Sequence, residues 1–293
     1  MTAPASGLRV GVYLDGENVS RRGGRNMRFG RLCEFARRGG AETIRLNAYV
    51  AFDHERARHD RAYRDGKRGY HNALREFGFK VIEKPVKWYD GEDGERVSKA
   101  NADLDLAVDL LMQCERLDRV LLVSGDGDFA RVVNAAQGRG CRVEVVAFDA
   151  VSADLRHECD QFVSGYLVPG LLPGRGGPAW GEPGSRVRGT CCTFTDKDYG
   201  FLRYFAGPEA GNLEPAEAFF HRKVGPPDFD YSLLPSRDVV FEFTLAEDRG
   251  EKLAARDVQV VADYTGRSPC RKKGTPAEAC SAGRDPTRIA ATH

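Results

Sequence analysis

The chain predicts an α/β protein with a doubly wound, mostly parallel sheet in its first half and a second, smaller all-β unit behind it. Three observations carry this. Short apolar runs such as VLLV at 120–123 alternate with amphipathic segments as far as residue 168. A stretch crowded with Pro and Gly, PGLLPGRGGPAWGEPGSR, then breaks the pattern. Beyond it, aromatic and β-branched residues recur in short runs separated by turn signals.

In order, residues 8–14 read as a strand, 27–38 as a helix, 43–52 as a strand, 55–77 as a helix and 79–84 as a strand. A helix over 102–114 leads into the central strand at 120–123; a helix over 128–138, a strand over 142–148, a short helix over 153–158 and a strand over 162–166 follow. Strand alternating with helix implies parallel pairing with helices on both faces. The expected domains are 7–168, a Gly/Pro linker at 169–186, a β domain at 187–262 and a disordered tail at 263–293, which is poor in large apolar residues.

Composition narrows the class. The 293 residues are 41% hydrophobic and 30% charged, which suits a folded chain long enough for two modest domains. No apolar run approaches the ~20 residues of a membrane span, and the first residues lack a signal peptide's apolar segment, so the expectation is a cytoplasmic protein with no membrane partner. The eight cysteines form no CxxC pair, which argues against structural zinc or a disulfide framework. Net charge is +1, yet residues 21–38 hold seven Arg against Glu34, and 54–71 are again basic. Such runs suit a phosphate backbone, although a solvated helix face explains them equally.

The chemistry concentrates where strands end in acid. The central strand stops at Ser124-Gly125 and is followed by Asp126 and Asp128, and the first strand ends at Asp15 in YLDGEN. A single Asp there is ordinary helix-capping chemistry. On the helix over 102–114, a step of about 100° per residue places Asp103 with an apolar face of Leu104, Ala107, Leu110 and Leu111, and turns Asp105 and Asp109 to solvent. If the switch point lies between the first and central strands, Asp15, Asp103, Asp126 and Asp128 can meet. Four carboxylates in one pocket need cations, and oxygen-only ligands point to Mg²⁺ or Mn²⁺. Phosphodiester hydrolysis uses such a set, with Asn18 a candidate to orient water or phosphate and Ser124 to hold a carboxylate. The motifs GK[ST], HExxH and GxSxG are absent, and Glu17 stands where a phosphoaspartyl hydrolase has its second Asp.

YLDGEN, DLDLAVDLL and LLVSGDGDF, in that order, resemble the NYN domain, a branch of the PIN-like nucleases. The resemblance implies a metal-dependent ribonuclease with Asp15, Asp103, Asp126 and Asp128 as its acidic centre. Some members serve chiefly in regulation, so a non-catalytic RNA-binding regulator is the alternative.

In the second unit, KDYGFLRY and AFFHRK place Tyr199, Phe201 and Arg203 on one strand face, and Phe219 with His221 on another, as an aromatic platform rimmed by Lys197, Arg203 and Arg222. Bases stack on such surfaces with little sequence preference. The spacing resembles a cold-shock domain, an OB-fold barrel, with Thr193 standing where that family carries an aromatic. The expected partner is single-stranded RNA, with single-stranded DNA open as a competitor. No residue pattern speaks to oligomeric state.

Overall fold

The computed structural model describes residues 7–90, 96–99, 102–174, 177–247 and 253–266. The strands of the first half are β1 (Arg9–Asp15), β2 (Glu42–Phe52), β3 (Lys80–Pro85), the antiparallel pair β4 (Lys87–Asp90) and β5 (Arg96–Lys99), β6 (Arg119–Val123), β7 (Arg142–Ala147) and β8 (Gln161–Ser164). Its helices are α1 (Gly16–Arg21), α2 (Phe29–Ala36), α3 (His54–His59), α4 (Arg61–Glu76), α5 (Ala102–Gln113), α6 (Ala130–Gln137) and α7 (Ala153–Glu158).

Six strands form one parallel sheet in the order β3-β2-β1-β6-β7-β8, so the winding reverses between β1 and β6. Strand periodicity explains why the inner strands are apolar throughout. Val10, Val12 and Leu14 join one core with α2 and Leu74 of α4, whereas Tyr13, Val120 and Leu122 join the opposite core with α5 and α6. Both faces of the sheet are covered, and its carboxyl edge at the reversal is left for a ligand.

Local chemistry moves several expected boundaries. The helix expected over 55–77 is two helices, because the Asp60 carboxylate accepts the Tyr63 N–H at 2.9 Å and caps a fresh start. The helix expected over 27–38 shortens to α2, and that over 128–138 opens as a single 3₁₀ turn, Gly127–Phe129, before α6. The short helix α1 and the β4–β5 pair were not foreseen. Asp15 builds α1 by accepting the Asn18 N–H at 3.0 Å just where β1 ends.

The second unit is a closed barrel of β9 (Arg186–Phe194), β10 (Tyr199–Phe205), β11 (Pro215–His221), β12 (Ser236–Glu247) and β13 (Leu253–Asp263), in the order β10-β11-β13-β12-β9. Leu202, Phe220, Phe241 and Phe243 fill it. Gly200 is obligatory, since a Cβ there would lie 1.9 Å from the Thr193 carbonyl oxygen.

The stretch expected to act as a free linker is tied down in part. Leu171 is buried in the first half's core, its carbonyl accepts the Arg28 N–H at 2.8 Å, and Trp180 Nε1 donates to the Phe205 carbonyl at 2.7 Å. The barrel docks on the first half in two places. The loop before β11 inserts Ala210, fully buried, into the core cluster that contains α2. Past β13, Tyr264 donates to the Phe148 carbonyl, pairs with Ser164 Oγ at 2.9 Å and packs on Phe162. Arg156 clamps the same junction, donating to the Tyr264 carbonyl and pairing with Asp238. Of the tail expected over 263–293, residues 267–293 lie outside the described residues.

Candidate functional site

Asp15, at the end of β1, is only 3% exposed, and both its oxygens are engaged: Oδ1 by the Asn18 N–H and Oδ2 by the Ser124 hydroxyl at 2.9 Å. Ser124 follows β6, so this bond ties the two strands across the reversal point. Asn18 adds a second tie, its Oδ1 accepting the Gly125 N–H at 3.0 Å. Ser124 Oγ also accepts the Asp126 N–H, and Asp126 Oδ1 accepts the Asp128 N–H at 3.0 Å. The GDGDF turn is thereby wired to the end of β1, and Asp126 is half-buried with Asp128 exposed.

The acids influence one another electrostatically. The Asp15 carboxyl is pushed up to about 6, chiefly by burial and further by the charges of Asp103 and Asp126, against the two hydrogen bonds that favour its anion. Asp103 is raised as well, by burial first and then by Asp126 and Asp128. The four residues singled out in the sequence therefore share one electrostatic site. Their ordinary structural roles are visible too, for Asp15 and Asp126 both cap turns.

The reading of α5 needs correction. Its buried residues are Ala102, Leu106 and Leu110, and Leu104, assigned to the apolar face, is 61% exposed. Asp103 lies within about 60° of Leu106 and Leu110 around the axis, yet it is exposed. Asp109 does not run to solvent: it accepts the Tyr49 hydroxyl at 2.8 Å, and Tyr49 in turn receives Asn47 Nδ2. Asp105 pairs with Lys84 at 2.5 Å. The apolar residues on both sides of this helix made the wrong stripe as plausible as the right one.

Among the described residues, no three His, Cys, Asp or Glu side chains stand together as a metal-holding group. The donor set nevertheless fits a hard divalent cation, being all carboxylate oxygen with a buried acid held near 6 for want of a compensating charge.

On the barrel, Tyr199 lies opposite His221, Phe201 opposite Phe219 and Arg203 opposite Glu217. The rings pack against one another: Phe219 sits 5.9 Å from Tyr199 and 6.1 Å from Phe201, all half-buried. Phe194 instead turns inward against Tyr231 and Phe220. The rim is less cationic than expected, since Arg203 pairs with Glu217 at 2.8 Å and Arg222 with Asp198 at 3.4 Å, leaving Lys197 exposed in the turn. His221 Nδ1 is occupied by the Lys223 N–H.

The NYN domain model matches residues 9–169. The chain belongs to the NYN-domain family. NYN domains are PIN-like nucleases, and their shared region takes in the sheet, the reversal point and all four acids. The low amplitude and bright protein LabA of Synechococcus elongatus is 32% identical over 100 residues, which is 33% of this chain and 54% of LabA, so the chain spans about half the length of that curated relative. A crystal structure of a protein of unknown function from Vibrio parahaemolyticus is similar at 24% identity and a TM-score of 0.45, covering 56% of this chain and 96% of that one. Among the described residues, no helix is long and apolar enough to cross a membrane.

Proposed function

We propose that this NYN protein is a metal-dependent ribonuclease that hydrolyses phosphodiester bonds of single-stranded RNA, with residues 7–168 as the nuclease domain and the barrel at 187–262 as a cold-shock-like domain that captures the strand. One observation supports the reading: at the sheet's reversal point the buried Asp15 is raised to about 6, by burial first and then by the charges of Asp103 and Asp126, and Asp103 is raised by burial and by Asp126 and Asp128. Such a cluster stores repulsion that a cation relieves.

Asp15, Asp103, Asp126 and Asp128 would hold Mg²⁺ or Mn²⁺. When bound, the ion supplies Lewis acidity and a bound water of lowered pKa. The chain's part is positional. Ser124 and the Asn18 N–H fix the Asp15 carboxylate, Asn18 Oδ1 fixes the following turn, and the Tyr199, Phe201 and Phe219 rings offer unpaired bases a stacking surface that duplexes do not reach.

The second reading is a non-catalytic RNA-binding regulatory protein that uses the same surfaces. It is favoured by the lack, among the described residues, of any three acids gathered closely enough to hold a metal. Labelled mixed-sequence RNA incubated with Mn²⁺, Mg²⁺ or EDTA separates the two, with Asp126→Asn purified in parallel. Metal-dependent cutting that falls at least a hundredfold in Asp126→Asn, with RNA binding kept, is the expected result. Equal inertness of both proteins, with binding intact, establishes the regulator instead.

A further inference from the structure

A cavity of about 670 Å³ opens between α1, residues 24–29 and α4; none of the four acids lines it, but Gly16 and Glu17, which follow Asp15 in the chain, do. Its wall is apolar and aromatic, from Met27, Phe29 and Tyr70. Its rim is cationic. Arg21 and Lys67 share the carboxylate of Glu17, at 3.5 and 2.8 Å, and Arg25 has no ion pair among the described residues. An apolar, aromatic lining together with net positive charge is what one nucleotide requires, a ring for the base and cations for the phosphate. The volume lies in the range of small-ligand sites.

An independent observation concerns α4. Gly66 stands inside this helix and lines the cavity, although glycine is the poorest interior helix residue after proline. Packing does not explain it, because a Cβ at Gly66 would meet nothing within 4 Å. The missing side chain leaves open space in the lining of the cavity. Across from it, Asn26 holds a left-handed backbone at φ 65°, which Asn tolerates better than other side chains. Gly69, three residues on, is equally uncrowded but does not line the cavity.

We propose that this cavity is a nucleotide subsite that takes one base and its flanking phosphate from a single RNA strand as the strand leaves the acidic centre. The identity of the strand as RNA rests on the ribonuclease reading above. Gly66 keeps that space open, Met27, Phe29 and Tyr70 receive the base, and Arg21, Arg25 and Lys67 meet the phosphates.

The test uses the full chain and a ten-nucleotide RNA carrying 4-thiouridine, irradiated in EDTA so that no cleavage intervenes, with adducts mapped by mass spectrometry. Adducts on residues 21–29 and 61–70 are expected in the wild type and in Gly69→Leu, and are lost in Gly66→Leu. With Mn²⁺, Gly66→Leu raises KM about tenfold with kcat within twofold, and Gly69→Leu changes neither beyond twofold. Leucine is a better helix former than glycine at both sites, so unchanged or higher melting temperatures exclude unfolding as the cause. Adducts confined to residues 187–262, or a Gly66→Leu protein that crosslinks like wild type, overturn the subsite. A chain that crosslinks through the cavity but never cuts overturns the ribonuclease reading and leaves the subsite standing.

Discussion

Asp15 carries the most stored electrostatic cost of any residue in the centre. A carboxyl raised in the folded state to about 6 from an ordinary 3.8 binds its proton more tightly folded than unfolded, so it adds stability at low pH that is lost as pH climbs from about 4 through 6. The difference amounts to roughly 3 kcal/mol as an upper bound. Asp15→Asn keeps an acceptor for the Asn18 N–H and removes the charge. It is expected to melt several degrees higher than wild type at pH 7.5 and no higher at pH 4, as read by differential scanning calorimetry. Added Mg²⁺ should raise the wild-type melting temperature and leave Asp15→Asn unmoved, because the cation relieves the same repulsion that the substitution deletes. A wild type indifferent to Mg²⁺ at pH 7.5 contradicts the assignment of these acids as ligands.

At the scale of elements, β10 and β11 present the platform and α5 presents Asp103. Each stacked base contributes roughly 1–3 kcal/mol, so Tyr199→Ala and Phe201→Ala are each expected to weaken RNA binding five- to a hundredfold in fluorescence anisotropy, without moving the melting temperature appreciably. Because Arg203 and Arg222 are already paired with Glu217 and Asp198, the barrel's own contribution to this binding should depend on salt only weakly. Glu217→Gln frees Arg203 and should tighten binding at low salt. Leu106, fully buried on the inner face of α5, anchors the helix that carries Asp103. Leu106→Ala is expected to cost about 2–5 kcal/mol in chemical denaturation and to lower cleavage more than RNA binding.

Taken whole, the molecule joins its nuclease half and its barrel through buried contacts as well as through the chain. Ala210 lies in the first half's core and Tyr264 bonds to the Phe148 carbonyl, so the barrel is docked on the first half at both points. A charge at position 210 has no compensating partner in that apolar cluster. Ala210→Asp is therefore expected to release the barrel, seen as a larger radius of gyration in small-angle X-ray scattering and as two melting transitions in place of one. Cleavage of a short RNA should survive in that variant, and that of long RNA should lose affinity, since a loose tether lowers the effective concentration of captured strand. A single transition with an unchanged radius rules this docking out.

What the sequence determined by itself was local and periodic. Short continuous apolar runs between amphipathic helices specified a parallel sheet covered on both faces, and acids at strand ends marked the edge at which β1 and β6 finish. Asp15, Asp126 and Asp128 were legible because a short polar residue after a core strand stands out. Tertiary structure alone decided the rest. It turned α5 so that Leu104 faces out and Asp109 meets Tyr49. It also drew Ala210 and Tyr264 across to the first half, and left an opening beside Gly66. The physical reason is that periodicity fixes which residues share a face of one element, whereas burial, docking and the shape of a cavity depend on a second element that lies far away in the chain.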